Sequence, residues 1–328
     1  MKMLKKIFLG IAVVVLLIAV AATCYLKFVL PNVGPSPDMK IEITPDRVAR
    51  GEYLAKHVTI CIDCHSKRDW SRFSGPPIEG TFGMGGEIFD RKFGFPGVYY
   101  ATNITPEEIG NHTDGELFRA ITTGVTSKGK AIFPVMPFHY YGMMDEDDIK
   151  SIIAYLRTLP PVKNKVPESV SDFPMNFIIN TLPHKANLTK LPPKTKVAAY
   201  GKYLVTAAAC VDCHSPIKDG RLVAGAEFSG GREFPFLDGS IVRSSNITPD
   251  EETGIGALKD EMFIHYFRMH SDSATLNTHL KPGNFNSIMP WTMYGGMTDE
   301  DLKAIFTYLK TLRPVKNEVT VFIPAKKK

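Results

Sequence analysis

Two five-residue stretches constrain this chain more than any other feature: Cys61-Ile62-Asp63-Cys64-His65 and Cys210-Val211-Asp212-Cys213-His214. Each has the spacing Cys-x-x-Cys-His, which is the attachment signature of c-type haem. Two thiols three positions apart can bond the two vinyl groups of one porphyrin, and the histidine that follows can ligate the iron. The sequence therefore predicts two covalently bound haem c groups, with Cys61, Cys64, Cys210 and Cys213 as attachment points and His65 and His214 as axial ligands.

The simpler alternatives are a pair of disulfides or one zinc site built from four cysteines. Neither alternative needs a histidine directly after each cysteine pair. The two matches also account for four of the five cysteines in the 328-residue chain. The haem interpretation is therefore favoured.

The surroundings of the two signatures repeat as well. The matching stretches, first copy before second, are Gly51–Leu54 and Gly201–Leu204, Asn103–Pro106 and Asn246–Pro249, Met136-Pro137 and Met289-Pro290, and Tyr155–Leu159 and Tyr308–Leu312. Such self-similarity indicates a tandem duplication. We place the two predicted domains at residues 45–165 and 195–320, joined by a proline-containing linker over residues 166–194.

Each copy is predicted to be helical. Apolar residues at helical spacing predict a closing helix near 145–159 and 298–312, with Asp145 and Thr298 as N-caps. An opening helix is expected near 45–57 and 196–208, where Gly51 and Gly201 indicate a close crossing by another helix. A middle helix is expected near 113–123 and 259–270. The glycine-rich segments 83–97 and 225–239 are predicted to be loops with a short hairpin, and the Thr-Pro motifs at Thr105 and Thr248 are predicted capping boxes.

The second axial ligand decides the function, because an open position on the iron allows catalysis and a strong ligand leaves electron transfer. Met136 and Met289 are the candidates, since they occupy equivalent places in the two copies and each precedes a proline that stiffens its backbone. A methionine ligand also raises the reduction potential relative to a second histidine. Among the other methionines, Met144 and Met297 also match between the copies, where core packing is the simpler use. His139 is an alternative for the first copy, and His265, His270 and His279 are alternatives for the second.

The N-terminus carries an unbroken apolar run from Ile7 to Leu26 after Lys2, Lys5 and Lys6. A run of this length is sufficient to cross a bilayer, and the preceding positive charge keeps the N-terminus in the cytoplasm. The alternative is a cleaved signal peptide with Ala19-Val20-Ala21 at the cleavage site. Residues 1–30 are therefore a predicted membrane anchor or signal segment and 31–44 a linker. The predicted location is the bacterial inner membrane, with the haem-bearing part in the periplasm.

The remaining composition excludes little. The net charge of +5 comes without a basic run interleaved with aromatic residues, so we expect no nucleic-acid partner. The end of the chain, residues 321–328, is predicted to be a basic tail. An enzyme of the dihaem peroxidase type is the alternative function, but it needs an exchangeable position on one iron.

The motifs together resemble a known family. The residues that carry the resemblance are Asn246–Asp250, Thr253–Gly256, Met289-Pro290 and Met297–Leu302, with Phe118–Ala120, Met136-Pro137 and Tyr155–Arg157 in the first copy. They resemble the membrane-bound cytochrome c subunits of alcohol, aldehyde and gluconate dehydrogenases, which commonly have three haem signatures where this chain has two. The resemblance implies an all-α fold of two tandem class I cytochrome c domains with His/Met iron. It also implies an electron carrier without catalysis of its own, whose partners are a periplasmic dehydrogenase or quinol system and a terminal oxidase.

Overall fold

The computed structural model describes residues 1–272, 276–281 and 283–325. Its α-helices follow the repeat observed in the sequence. They span Lys2–Cys24, Pro45–Tyr53, Cys61–Cys64, Pro106–Ile109, Asp114–Thr123, Phe138–Tyr141, Glu146–Thr158, Met175–Ile178, Val197–Ala207, Cys210–Cys213, Asp260–Met269, Trp291–Tyr294 and Asp299–Leu309. Among the described residues there are also two π-helical turns, Tyr25–Val29 and Leu54–Val58, and two 3-10 turns, Arg91–Phe93 and Ile179–Thr181.

The N-terminal helix is long and apolar enough to cross a membrane over Lys2–Val29, and none of its residues is buried against the rest of the chain. Signal sequences have the same length and composition. The structure thus agrees with the predicted helix, and its use as an anchor remains a prediction.

The opening helices (Pro45–Tyr53 and Val197–Ala207) cross the closing helices (Glu146–Thr158 and Asp299–Leu309) very closely. A Cβ atom added to Gly51 would lie 1.8 Å from the carbonyl oxygen of Ser151, and one added to Gly201 would lie 1.8 Å from that of Ala304. No side chain fits at either distance, so glycine is what allows the two backbones to touch. The predicted reason for these two mid-helix glycines is confirmed.

The predicted N-caps of the closing helices are also confirmed. The Asp145 carboxylate accepts a hydrogen bond from the Asp147 N–H, and the Thr298 hydroxyl accepts one from Asp301 N–H. The closing helix of the first copy ends at Thr158, just before Pro160, but that of the second ends at Leu309, well before Pro314. Pro314 therefore does not terminate the second closing helix.

One extra residue distinguishes the first opening helix from the second. Ten positions separate Gly51 from Cys61, whereas nine separate Gly201 from Cys210. The chain accommodates the insertion in the π-turn Leu54–Val58, which widens the helix locally instead of shifting the signature. The difference in spacing is visible in the sequence, but the π-turn that accommodates it is visible only in the structure.

The prediction of an all-α fold is incomplete, because three small antiparallel sheets lie outside the helical core. Their strands are Ile88–Phe89, Gly97–Tyr100 and Val170–Ser171 in the first sheet, Ile217–Lys218 and Arg221–Leu222 in the second, and Glu233–Pro235, Ile241–Arg243 and Phe322–Ile323 in the third. Hairpins were expected in the glycine-rich segments, where glycines with positive φ such as Gly94 and Gly239 allow the chain to turn.

The outer strands of two sheets come from the segments predicted to be a linker and a basic tail. Val170 and Ser171, in the predicted linker, pair with Val98 and Gly97. Phe322 and Ile323, in the predicted tail, pair with the strand Ile241–Arg243. These two residues therefore belong to a sheet, and the closing lysines 326–328 lie outside the described residues.

The two copies pack on one continuous apolar cluster. It includes Leu54, Ile149 and Ile153 from the first copy and Leu204 and Leu302 from the second, each essentially inaccessible to solvent. Burial of this kind contributes about 25 cal/mol for each Å² of apolar surface removed from water. Association of the copies is therefore driven by the same apolar burial that stabilises each copy.

A reciprocal pair of hydrogen bonds crosses between the copies. The Tyr53 hydroxyl donates to Asp301 at 2.5 Å, and its counterpart Tyr203 donates to Asp148 at 2.6 Å. Within the first copy, Arg50 donates two hydrogen bonds of 2.8 Å to the same Asp148 carboxylate. Burial raises the pKa of both tyrosines, so the phenols stay protonated and able to donate.

We expect Tyr203→Phe to lower the free energy of unfolding by about 1–3 kcal/mol, because it removes a buried hydrogen bond to a carboxylate. Urea denaturation of the haem-loaded protein measures the change. Tyr266→Phe is the matched control, since Tyr266 is 41% exposed, and it should leave the stability within about 0.5 kcal/mol. Equal stability of the two variants would contradict the cross-copy bond.

Candidate functional site

Each signature begins with a single helical turn, Cys61–Cys64 and Cys210–Cys213, which brings its two thiols to the same side. The residue before each turn, Ile60 and Ala209, has φ of 47° and 51°, in the left-handed region that side chains rarely adopt. The same strained geometry occurs in both copies, so the surrounding structure enforces it.

The two signature histidines are held in the same way. Nδ1 of His65 lies 2.7 Å from the Thr102 carbonyl oxygen, and Nδ1 of His214 lies 2.8 Å from that of Ser245. With Nδ1 donating to a carbonyl, Nε2 is left with its lone pair free for a metal. Burial lowers the pKa of both imidazoles, which favours the neutral form that ligates metals.

The carbonyl partners Thr102 and Ser245 had not been predicted, although a signal was present. Each directly precedes the repeated Asn-Ile-Thr-Pro motif. In that motif Asn103 and Asn246 donate to the carbonyl oxygens of Val162 and Val315 at 2.8 Å, which ties the loop to the chain beyond the closing helix. The motif thereby fixes the position of the carbonyl group that holds each signature histidine.

The predicted capping boxes at Thr105 and Thr248 are wrong. Neither hydroxyl caps a helix; each donates instead to the preceding asparagine, Asn103 or Asn246, at 2.7 Å. The competing side-chain acceptor two residues away explains the difference.

None of the four signature cysteines is paired in a disulfide. Burial raises the pKa of the Cys64 and Cys210 thiols to about 12 and also raises that of Cys61. Reactive and redox-active cysteines have the opposite shift. Among the described residues no group of three or more His, Cys, Asp and Glu side chains is arranged to hold a metal ion, so the four-cysteine zinc site has no geometric support.

Met136 and Met289 lie half-buried against the apolar cluster, as do Cys61 and Cys210. A tyrosine five residues after each methionine holds its loop against the signature. The Tyr141 hydroxyl donates to the Thr59 carbonyl at 2.8 Å, and the Tyr294 hydroxyl donates to the Ala208 carbonyl at 3.0 Å. Thr59 and Ala208 both lie two residues before the first cysteine, so each methionine loop is tied to the signature of its own copy.

These tyrosine bonds were missed at the sequence level, although the common spacing of five residues in Met136–Tyr141 and Met289–Tyr294 is a signal for them. The competing methionines lie elsewhere. Met144 and Met297 are 1% and 3% exposed and belong to the apolar cluster, which agrees with the packing role expected for them.

Three of the four alternative histidines have other partners. Nε2 of His139 lies 3.6 Å from Asp212, in the other copy. The ring of His270 stacks on Phe73 at 5.0 Å between centroids, and His279 Nδ1 lies 3.1 Å from the Ser71 hydroxyl. These contacts favour the two methionines over His139, His270 and His279 as ligands.

Both methionine loops also contact the opposite copy. The Ser74 hydroxyl donates to the Met289 carbonyl oxygen at 2.5 Å, and the Ser74 N–H donates to Asn286 at 2.8 Å. In the other direction Tyr140 donates to Asp212, within the second signature, at 2.6 Å. The two candidate centres therefore share one interface, which nothing in the sequence indicated.

The residues fit a covalent haem c in each copy. Two thiols on one turn, a neutral imidazole with a free Nε2, and a thioether on a loop tied to that turn are the donors such a group needs, and the apolar cluster supplies its walls.

Comparison with known proteins finds similarity over part of the chain to one family and over most of it to several relatives. Residues 198–313 match the family model described as cytochrome c. The chain is 27% identical to the gluconate 2-dehydrogenase cytochrome c subunit of Pantoea cypripedii, over 84% of this chain and 62% of the relative. It is also 27% identical to the fructose dehydrogenase cytochrome subunit of Gluconobacter japonicus, over 92% of this chain and 60% of the relative.

A third relative is named as a diheme c-type cytochrome, from Cereibacter sphaeroides; it is 26% identical over 78% of this chain and 83% of its own length. The expected resemblance to dehydrogenase cytochrome c subunits is confirmed, and these relatives are named as cytochromes, not as peroxidases. The chain spans about 60% of the length of the dehydrogenase subunits it matches.

Proposed function

We propose that this protein is a dihaem c-type cytochrome that passes single electrons in a periplasmic respiratory chain. In this proposal each copy, 45–165 and 195–320, is a class I cytochrome c domain. When bound, haem c supplies reversible one-electron chemistry at its iron. The observation that carries the proposal is the twofold occurrence of one arrangement: a Cys-x-x-Cys-His turn, a histidine Nδ1 on a carbonyl, and a methionine loop tied by a tyrosine.

In this arrangement the protein's residues hold and tune the iron. Cys61, Cys64, Cys210 and Cys213 attach the two porphyrins, His65 and Met136 ligate one iron, and His214 and Met289 ligate the other. A thioether ligand and apolar walls both favour the ferrous state. With both axial positions filled, substrate has no site on either iron, which disfavours the peroxidase alternative.

The relatives support the proposed donor. Subunits named for gluconate and fructose dehydrogenases support a dehydrogenase as donor. A quinol as the alternative donor, and an oxidase or soluble cytochrome as acceptor, complete the proposal. We further propose that the N-terminal helix anchors the protein in the bacterial inner membrane, with residues 31–325 in the periplasm.

The test combines a redox titration of the haem-loaded protein with a near-infrared spectrum that reports the ligands of each iron. We expect two low-spin centres, each with the near-infrared band of an iron–thioether bond. Rapid carbon monoxide binding to the reduced native protein, or turnover of peroxide, would instead support an exchangeable iron position.

We expect Met136→His and Met289→His each to lower the potential of one centre by on the order of a few tenths of a volt, within the about 0.8 V range that axial ligands span. The iron–thioether band of that centre should disappear while the other remains. Met144→Leu is the matched control, because Met144 is 1% exposed in the core and should change neither potential. A shift caused by Met144→Leu, or none by Met136→His, would reassign the ligand.

A further inference from the structure

The segment between the two copies contacts the end of the apolar N-terminal helix. The Asn180 side-chain amide donates to the Leu26 carbonyl oxygen at 2.9 Å. Leu26 belongs to the π-turn Tyr25–Val29, the last turn of the candidate span, and Asn180 to the 3-10 turn Ile179–Thr181. If the end of the helix lies at the membrane surface, this segment therefore lies at the membrane surface as well.

The length of the span sets that position. From Lys6 to Tyr25 an α-helix rises about 28 Å, which matches the about 30 Å hydrocarbon core of a bilayer. Lys2, Lys5 and Lys6 then lie at one interface, and Tyr25 and Phe28 lie at the other, where aromatic side chains are enriched.

Large apolar side chains are exposed on both contacting segments. Phe173 is 82% exposed and Ile178 is 41% exposed, while Phe28 and Tyr25 on the helix end are 78% and 54% exposed. The Phe173 ring also meets that of Phe177 at 6.4 Å between centroids. Apolar groups clustered in this way indicate a contact with an apolar partner.

The segment is fixed to the first copy. Val170 and Ser171 pair with the strand Gly97–Tyr100, and Arg91 donates two bonds to Asp172, one of them 2.7 Å long. Phe173 follows directly, so a surface that held Phe173 would also orient the first copy.

We propose that residues 173–182 lie in the lipid headgroup region of the bilayer that the N-terminal helix spans, with Phe173 inserted toward the acyl chains. The inference rests on the proposed membrane anchor. The contact between Asn180 and the end of the span supports this position, because it places Phe173 and Ile178 next to the membrane surface rather than in bulk water. The result would be a first haem centre held at a constant orientation to the bilayer.

The test uses the full-length, haem-loaded chain in phosphatidylcholine vesicles. The substitution Cys24→Ala is made first, because Cys24 is the one cysteine of the sequence outside the two signatures. A nitroxide label is then placed at Phe173→Cys, and the matched control is Leu237→Cys, because Leu237 is 76% exposed in a hairpin turn of the second copy. Collisions with oxygen, which partitions into lipid, are compared with collisions with a water-soluble nickel complex.

We expect the ratio of oxygen to nickel collisions to be several-fold higher at position 173 than at position 237. Equal ratios in a chain that floats with the vesicles would overturn this inference and leave the anchor intact. A label at 173 shielded from both reagents would also overturn it, since a protein partner or a second copy would then cover the segment. A chain that does not float with the vesicles would overturn the anchor and the inference together.

Discussion

A chain in which Cys210 and Cys213 are both replaced by serine is expected to carry one covalent haem instead of two and to lose the folded state of its second half. Cys210 and Met289 both pack against the apolar cluster, so the haem they would hold completes that part of the core. Its loss should cost a free energy comparable to the about 5–15 kcal/mol that keeps a domain folded.

Haem content per chain measures the first effect, and far-UV circular dichroism measures the second. Cys24→Ala is the control, because Cys24 is exposed on the N-terminal helix and should leave both haems and the helix content unchanged. For the same reason the haem-free wild-type chain should be poorly folded. Full helix content in the haem-free chain would contradict the proposal that haem completes the core.

Replacing Gly201 by alanine is expected to destabilise the haem-loaded protein by more than about 3 kcal/mol. In an ordinary helix interior the same change stabilises by about 1 kcal/mol, so the sign of the effect is itself a test. Here the new Cβ would lie 1.8 Å from the Ala304 carbonyl oxygen and 2.4 Å from its carbon, and these backbone atoms cannot yield without separating the two helices.

Urea denaturation of the haem-loaded variant measures the loss, with Lys202→Ala as the control on the exposed side of the same helix. Gly51→Ala should have a similar effect, because its Cβ would meet the Ser151 carbonyl oxygen at the same distance. A neutral or stabilising result at Gly201 would show that the opening and closing helices cross further apart than described.

The helical skeleton was predictable because its signals are local. The helices at 146–158 and 299–309 begin one residue after their predicted N-caps, and the helix at 114–123 begins within a residue of its predicted start. Gly51 and Gly201 stood out because glycine is costly inside a helix. The strand Phe322–Ile323 was not predictable in this way, since its partner strand lies some eighty residues earlier. The hydrogen bonds from Tyr141 to Thr59 and from Tyr294 to Ala208 appear in the sequence only as a repeated Met-to-Tyr spacing, which does not specify their partners.

By itself the sequence predicted haem c chemistry and showed the repeat, because the attachment signature consists of five consecutive residues and the repeat is visible in the residues themselves. The assignment of Met136 and Met289 as ligands stays a prediction of that kind. Tertiary structure alone decided how the two copies meet. Ser74 donates a hydrogen bond to the Met289 loop and Tyr140 donates one to Asp212. Tyr53 and Tyr203 donate hydrogen bonds to Asp301 and Asp148. Each of these hydrogen bonds joins residues from different copies, and no local propensity or spacing specifies which surfaces of two similar units will face each other.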